Sequence, residues 1–258
     1  MAAPDIRKPF KKLLPYLHQA KADNLNEADT VQRIIKVFEE AFGYDAMTEI
    51  TRESAVKERF CDVALKIDGV IKILVEVKSG GTTLRDRHTE QAQNYASHSN
   101  IRWVVLTNGV VWNLYHLTFE EGIEATLAFS VDVSEELDDK GAELLTLLHR
   151  SSVKKGELDE YWEHRVALGP ASLGRALFTE EVLRFVRREV RRREGVLIDE
   201  EDLAAAIHEM LSTEARERIG PLKIRRRPKR KAAPTTTADG VPVPEVAPEE
   251  KKGEKERP

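Results

Sequence analysis

Hydrolysis at a phosphate ester calls for paired carboxylates and a nearby cation, and one stretch of this sequence supplies both. Asp62, Glu76 and Lys78 fall in two strand-like runs, residues 60–67 and 71–78, joined through Asp68-Gly69. The odd positions of both runs are apolar: Val63, Leu65 and Ile67, then Ile71, Ile73, Val75 and Val77. They predict a dry face that packs on a helix. The even positions hold Asp62, Ala64 and Lys66, then Lys72, Leu74, Glu76 and Lys78, which sets the two acids and Lys78 at the open end of the hairpin.

Directly opposed residues share a sheet face, so Asp62 and Glu76 meet only if even numbers pair with even numbers. A two-residue Asp68-Gly69 turn pairs Ile67 with Val70 and separates the acids. A three-residue loop, 67–69, with Gly69 in the left-handed bulge position, pairs Lys66 with Val70 and unites them. The expected register then sets Asp62 opposite Leu74, with Glu76 diagonal to it at about 7–8 Å.

Two acids at that spacing repel each other and lose hydration unless a hard cation joins them. Magnesium suits such a pair: it takes oxygen ligands, binds through one or two carboxylates plus substrate phosphate, and activates bound water. The carbonyl of Val77 would add a ligand, and Lys78 would orient or deprotonate the attacking water. Manganese would substitute. An acid-x-Lys triplet on a strand is common as solvated charge, and Glu53, Glu58, Lys66 and Lys72 read that way.

Stepping outward, apolar residues at helical spacing predict a helix over 26–42, with Asn24 or Asn26 as cap and Gly43 past its end. Residues 45–52 are a weaker strand candidate. A helix is expected over 84–98, a hairpin from 101–107 and 110–117 across Asn108-Gly109, a strand near 124–131 and a helix over 134–149. Trp103 and Trp112 read as core or strand-pair aromatics. The order α, three strands, α, further strands is a mixed α/β (α+β) domain. Its expected span is 24–150, after a proline-interrupted lead-in at 1–23 that holds at most a short helix. A helical region at 151–219 follows, with Thr179 and Asp199 as helix starts. A basic, Pro/Glu-rich tail at 220–258 is expected to be disordered.

Asp62 followed by Glu76-Val77-Lys78 resembles the PD-(D/E)xK nuclease motif. Gln91-Ala92-Gln93-Asn94-Tyr95 resembles the Q-x-x-x-Y motif of type I restriction enzyme R-subunit nuclease domains and of bacterial recombination exonucleases. Leu106-Thr107-Asn108-Gly109 and Trp112-Asn113-Leu114-Tyr115 are similar to the end of the type I R-subunit N-terminal domain. Asn26-Glu27-Ala28 opens a helix where that family often has a metal-directed glutamate. The resemblance covers about residues 24–118. It implies a restriction-endonuclease-like mixed sheet flanked by helices. It also implies that Asp62, Glu76 and Glu27 bind the metal, that Lys78 positions the nucleophile, and that Gln91 and Tyr95 hold Lys78 or a DNA phosphate. A glutamate in a first helical turn is favoured by the helix dipole in any case. His88 lies within reach of the site by spacing. Cys61 stands where the motif has proline. The pattern G-x-x-x-x-G-K-[ST] is absent, so no motor is expected in this sequence. Gly80-Gly81 reads as a flexible turn.

The chain has 258 residues, 41% hydrophobic and 33% charged, with net charge -4. No overall basic field draws in nucleic acid, so any contact must come from local patches. Arg184, Arg188 and Arg191, with Arg187 and Arg192, form a stripe at helical spacing, read slightly in favour of a solvated face. Arg226, Arg227, Lys229 and Arg230 sit in a denser cluster that is the stronger candidate for non-specific binding. One cysteine excludes an internal disulfide. With no membrane-length apolar run and no signal segment in the sequence, a cytoplasmic location is expected. The expected function is a magnesium-dependent deoxyribonuclease of the restriction or defence kind. Its partners would be DNA, a second copy, or a partner motor or methyltransferase subunit. The alternatives are a non-catalytic nucleic-acid-binding or scaffold protein on the same fold, and a DNA-repair nuclease subunit.

Overall fold

A computed structural model describes residues 4–56, 59–90, 93, 96, 100–120 and 122–221, without the side chains of 53–56, 59, 60, 86, 89 and 214. Its centre is a six-stranded sheet whose spatial order follows the chain. The strands are β1 (Ile50–Val56), β2 (Arg59–Ile67), β3 (Val70–Val77), β4 (Trp103–Thr107), β5 (Val111–Thr118) and β6 (Glu124–Asp132). Every neighbouring pair is antiparallel except β3–β4, which is parallel.

Helices α1 (Arg7–Ala22) and α2 (Glu27–Glu40) cover one face of the sheet. Phe10, Leu13 and Leu17 of α1 and Ile34, Val37 and Phe38 of α2 share a core with Val63, Leu65, Val75, Val77 and Trp112. The odd-numbered face of the hairpin is therefore the dry one, as its alternation predicts. The lead-in is not a short helix but 16 residues of one. Pro9 sits in its first turn, where a missing N–H costs little, and Pro15 lies on its exposed side. Asn26 caps α2 by accepting from the Asp29 amide at 2.8 Å, and Gly43 takes φ +73° just beyond its end.

The opposite face carries Ala64, Leu74, Val104, Leu106 and Leu117, covered in part by Ala96. The segment after β3 opens with a 3-10 turn, Asp86–Thr89, rather than an α-helix from Leu84. Glu90, Gln93 and Ala96 are helical. The first strand runs later than its weak signal suggests, over Ile50–Val56. The single helix expected over 134–149 is shorter: α3 is Asp139–Thr146, and α4 (Arg150–Lys155) starts anew after His149.

The hairpin solves the parity problem differently from expectation. Asp68 and Gly69 take φ of +50° and +80°, a two-residue turn that pairs Ile67 with Val70. Parity changes two residues later: Lys66 pairs with Ile71 but Leu65 pairs with Ile73, so Lys72 is the extra residue of a bulge in β3. From there Ala64 faces Leu74 and Val63 faces Val75. One step further along that register, Asp62 is directly opposite Glu76.

The chain divides into two compact units, 1–173 and 174–258. The first also includes α5 (Glu157–Ala167), whose Leu158 joins the core, so it runs past residue 150. α6 (Pro170–Leu177) spans the division. The second holds α7 (Glu180–Glu194), α8 (Glu200–Met210) and α9 (Thr213–Ile219), with Leu183, Leu203 and Ala204 at its centre. Thr179 and Asp199 occupy the starts of α7 and α8 without capping them through their side chains. The tail assigned to 220–258 lies outside the described residues beyond Pro221. Among the described residues no helix is long and apolar enough to cross a membrane.

Candidate active site

Asp62 and Glu76 reach one sheet face because the bulge at Lys72 restores matching parity above it. The Asp62 carboxylate is also tied to the end of β3: the Val77 amide donates to Asp62 Oδ2 at 2.7 Å. Val77 thus meets the acid through its N–H. Lys78 follows directly, its amide donating to the Thr107 carbonyl at 2.8 Å, so the last residues of β3 are held from both sides.

Glu76 is 1% exposed. Lys78 Nζ donates to Glu76 Oε1 at 2.5 Å, while Glu76 Oε2 is buried with no hydrogen-bond partner among the described residues. Burial, followed by the charge on Asp62, pushes the Glu76 carboxyl up to about 7, although Lys78 pulls the other way. For Lys78, burial favours the neutral amine, but the hydrogen bond and charge of Glu76 outweigh it and the pKa rises. Glu76 thus draws Lys78 toward the ammonium form, in which it donates hydrogen bonds.

Glu27 comes to the site from the first residue of α2, with Oε2 3.7 Å from Lys78 Nζ. It approaches the lysine and is half exposed. Among the described residues no three His, Cys, Asp or Glu side chains form one metal-holding group. The donor set is the Asp62–Glu76 pair, and the orphaned oxygen of Glu76 is what a hard, oxygen-seeking cation would satisfy. Cys61 is buried, donates to the carbonyls of Val63 and Val75 at 3.1 and 3.3 Å, and burial pushes its thiol up to about 12. It packs the site and is not a nucleophile.

The glycine pair after Lys78 serves a close approach, not a flexible turn. A Cβ on Gly80 would lie 2.2 Å from the Ala20 carbonyl oxygen, and one on Gly81 would lie 2.1 Å from Asn24 Oδ1. The Gly80 amide donates to the Leu25 carbonyl at 3.1 Å. The loop after β3 is thereby clamped to the α1–α2 corner that carries Glu27. His88 Nδ1 accepts from the Arg85 amide at 3.2 Å, and Lys78 is among the charges that, after burial, lower its pKa.

Gln91 and Tyr95 lie outside the described residues, as do Arg226, Arg227, Lys229 and Arg230. In the second unit Arg184 pairs with Glu180, and Arg188 lies over the Phe185 ring at 5.5 Å. Arg191 is exposed near the end of α7. Glu189 takes up Arg192 and Arg193 at 2.5 and 2.8 Å, so part of the stripe is internally compensated.

One row of residues runs across the sheet face that carries Asp62 and Glu76, and only Ser130 in it lies outside the quoted motifs. The register runs Glu76–Leu106–Asn113–Ser130 straight across β3 to β6. Asn113 interrupts the run Val111, Tyr115, Leu117 along one face of β5, a signal that could have flagged its place in the row, whereas Ser130 lies beside Asp132 and carries no such mark. No curated protein and no solved structure matches the chain. A family model does: residues 26–127, about two fifths of the chain and the segment that builds this site, match the type I restriction enzyme R protein N terminus, and there the chain is similar to that family.

Proposed function

We propose that the chain is a metal-dependent nuclease hydrolysing DNA phosphodiester bonds, of the restriction or defence kind. The observation that carries this reading is the opposed Asp62–Glu76 pair with Lys78 bonded to one Glu76 oxygen and the other oxygen buried without a partner among the described residues. The match to a restriction-enzyme segment supports it. Asp62 and Glu76 would hold magnesium or manganese, with Glu27 and the Val77 carbonyl as further candidates. The ion would supply charge compensation at the scissile phosphate and an activated water.

The residues of the chain have separate tasks. Asp62 is anchored by the Val77 amide, so its orientation is fixed before substrate arrives. Glu76 is held almost without solvent, which strengthens every electrostatic interaction it makes. Lys78 donates hydrogen bonds to the attacking water or to a non-bridging phosphate oxygen. Glu27, on the other side of Lys78, keeps the ammonium in the site.

The test is cleavage of linear, circular and single-stranded DNA with magnesium or manganese. Wild-type chain is expected to cut and EDTA to stop it. Lys78→Ala and Glu76→Gln are expected to cut at least about 100-fold more slowly, the usual scale for a lost charge-stabilising or proton-handling group. DNA retention without cleavage under either metal would instead support a binding or scaffold role.

A further inference from the structure

The sheet has one parallel pair, β3–β4, and in open parallel α/β sheets ligands settle in the crevice beyond the carboxyl ends of the strands. A groove of about 330 Å³ opens at that end, lined by Lys21, Thr82, Thr83, Asn108, Asn113 and Ser130 among others. It begins at Gly80-Gly81, two residues past Lys78, and extends over the polar end of the cross-sheet row.

We propose that this groove binds the DNA strand flanking the scissile phosphate, taking one nucleotide through its phosphate and sugar. This rests on the nuclease reading and names where its substrate continues. Asn108 builds the wall: its Nδ2 donates to the Thr82 carbonyl at 2.8 Å, and its Oδ1 accepts from the amides of Val110 and Val111. Ser130 Oγ donates to Asn113 Oδ1 at 2.7 Å, which fixes that carboxamide and leaves its amide nitrogen without a partner among the described residues. Lys21 adds an ammonium in no ion pair among them, with Asp132 the acid whose pKa registers its charge. One cation, the Thr83 hydroxyl, a Thr82 hydroxyl shared with Ser79 at 2.6 Å and a fixed amide donor match the groups that contact phosphate and sugar, not a base code.

The spacing fits a polymer. Asn113 lies two strands from Glu76, about 10 Å across a sheet. Measured along the axis of a duplex, that is about three rises of 3.4 Å. The groove would therefore hold a nucleotide two or three positions from the cut, and contact would be independent of sequence.

The experiment measures affinity of the full chain for a labelled duplex and its single strand across a salt series, and cleavage kinetics with magnesium. The variants are Lys21→Glu, Asn113→Ala, Lys78→Ala and, as a charge control, the exposed Lys140→Glu. Thermal unfolding confirms each fold. Lys21→Glu is expected to weaken binding about tenfold and to reduce the slope of log affinity against log salt by about one. Asn113→Ala is expected to raise KM severalfold with kcat kept, and Lys140→Glu to stay within about twofold of wild type. If Lys21→Glu and Asn113→Ala bind and cut like wild type while Lys78→Ala is inactive, the groove is overturned and the nuclease reading stands. A wild-type chain that neither binds nor cuts DNA overturns both.

Discussion

Gly80→Ala replaces one hydrogen with a methyl group where there is no room for it. The new carbon would lie 2.2 Å from the Ala20 oxygen, 2.5 Å from the Ala20 carbonyl carbon and 2.9 Å from the Lys21 nitrogen. None of these is the end of a flexible side chain. The Ala20 oxygen is already engaged, accepting from the Leu25 amide at 3.0 Å. Relief therefore requires the loop after Lys78 to leave the α1–α2 corner, which breaks the Gly80–Leu25 hydrogen bond. Overpacking of this kind costs about 1–3 kcal/mol and the lost hydrogen bond about 1 more, so about 2–4 kcal/mol in all. For a unit of this size that lowers Tm by about 5–15 °C. The measurement is thermal unfolding of Gly80→Ala beside Gly122→Ala, where a Cβ meets nothing within 4 Å and only the φ of +128° is strained. DNA cleavage is expected to fall with Gly80→Ala even below its melting range, because Glu27 and Lys78 lose their common clamp. A Gly80→Ala protein with wild-type Tm and cleavage would refute the clamp.

Two further perturbations have defined outcomes. His116 is buried, stacks on Trp162 at 4.5 Å, and its Nδ1 has no partner among the described residues. Burial, then Arg102, lowers its pKa, so the fold favours neutral imidazole. That stability is present above about pH 6.5 and is lost as pH falls through the depressed folded value, at up to about 1.4 kcal/mol per unit between the two. Urea unfolding from pH 7.5 to 5 should show this decline, and His116→Gln should flatten it. Asn26→Ala removes the cap of α2 and should cost about 1 kcal/mol by denaturant titration. An unchanged midpoint would mean that the α1–α2 corner holds the helix start without it.

The alternation of β2 and β3 made the dry face and the shared face of the acids readable, because a two-residue period ties side-chain direction to residue number. The place where parity changes was not readable. Asp68 tolerates the left-handed conformation well enough for a tight Asp-Gly turn, and the bulge falls at Lys72, a polar residue that carries no mark of being unpaired. The first helix was hidden by its prolines, since the sequence does not say that Pro9 lies in a first turn and Pro15 on a solvent side. Gly80-Gly81 looked like loosening because the corner it fits lies more than fifty residues away in the chain. Asn113 entered through the Trp112–Tyr115 resemblance, but its alignment with Glu76 emerged only from the register. The family resemblance, by contrast, was legible from motif spacing alone and is borne out by the match over residues 26–127.

Strand order and chain order coincide throughout the sheet, so each strand pairs with the one made just before it. A nascent chain could assemble the acid-bearing hairpin while later strands were still being synthesised, with few long loops to close. The clamp between Gly80 and the α1–α2 corner joins that hairpin to helices completed earlier still. The chemical centre could thus be finished before the arginine-rich second unit left the ribosome, and a truncation near residue 173 should yield a folded, metal-responsive fragment.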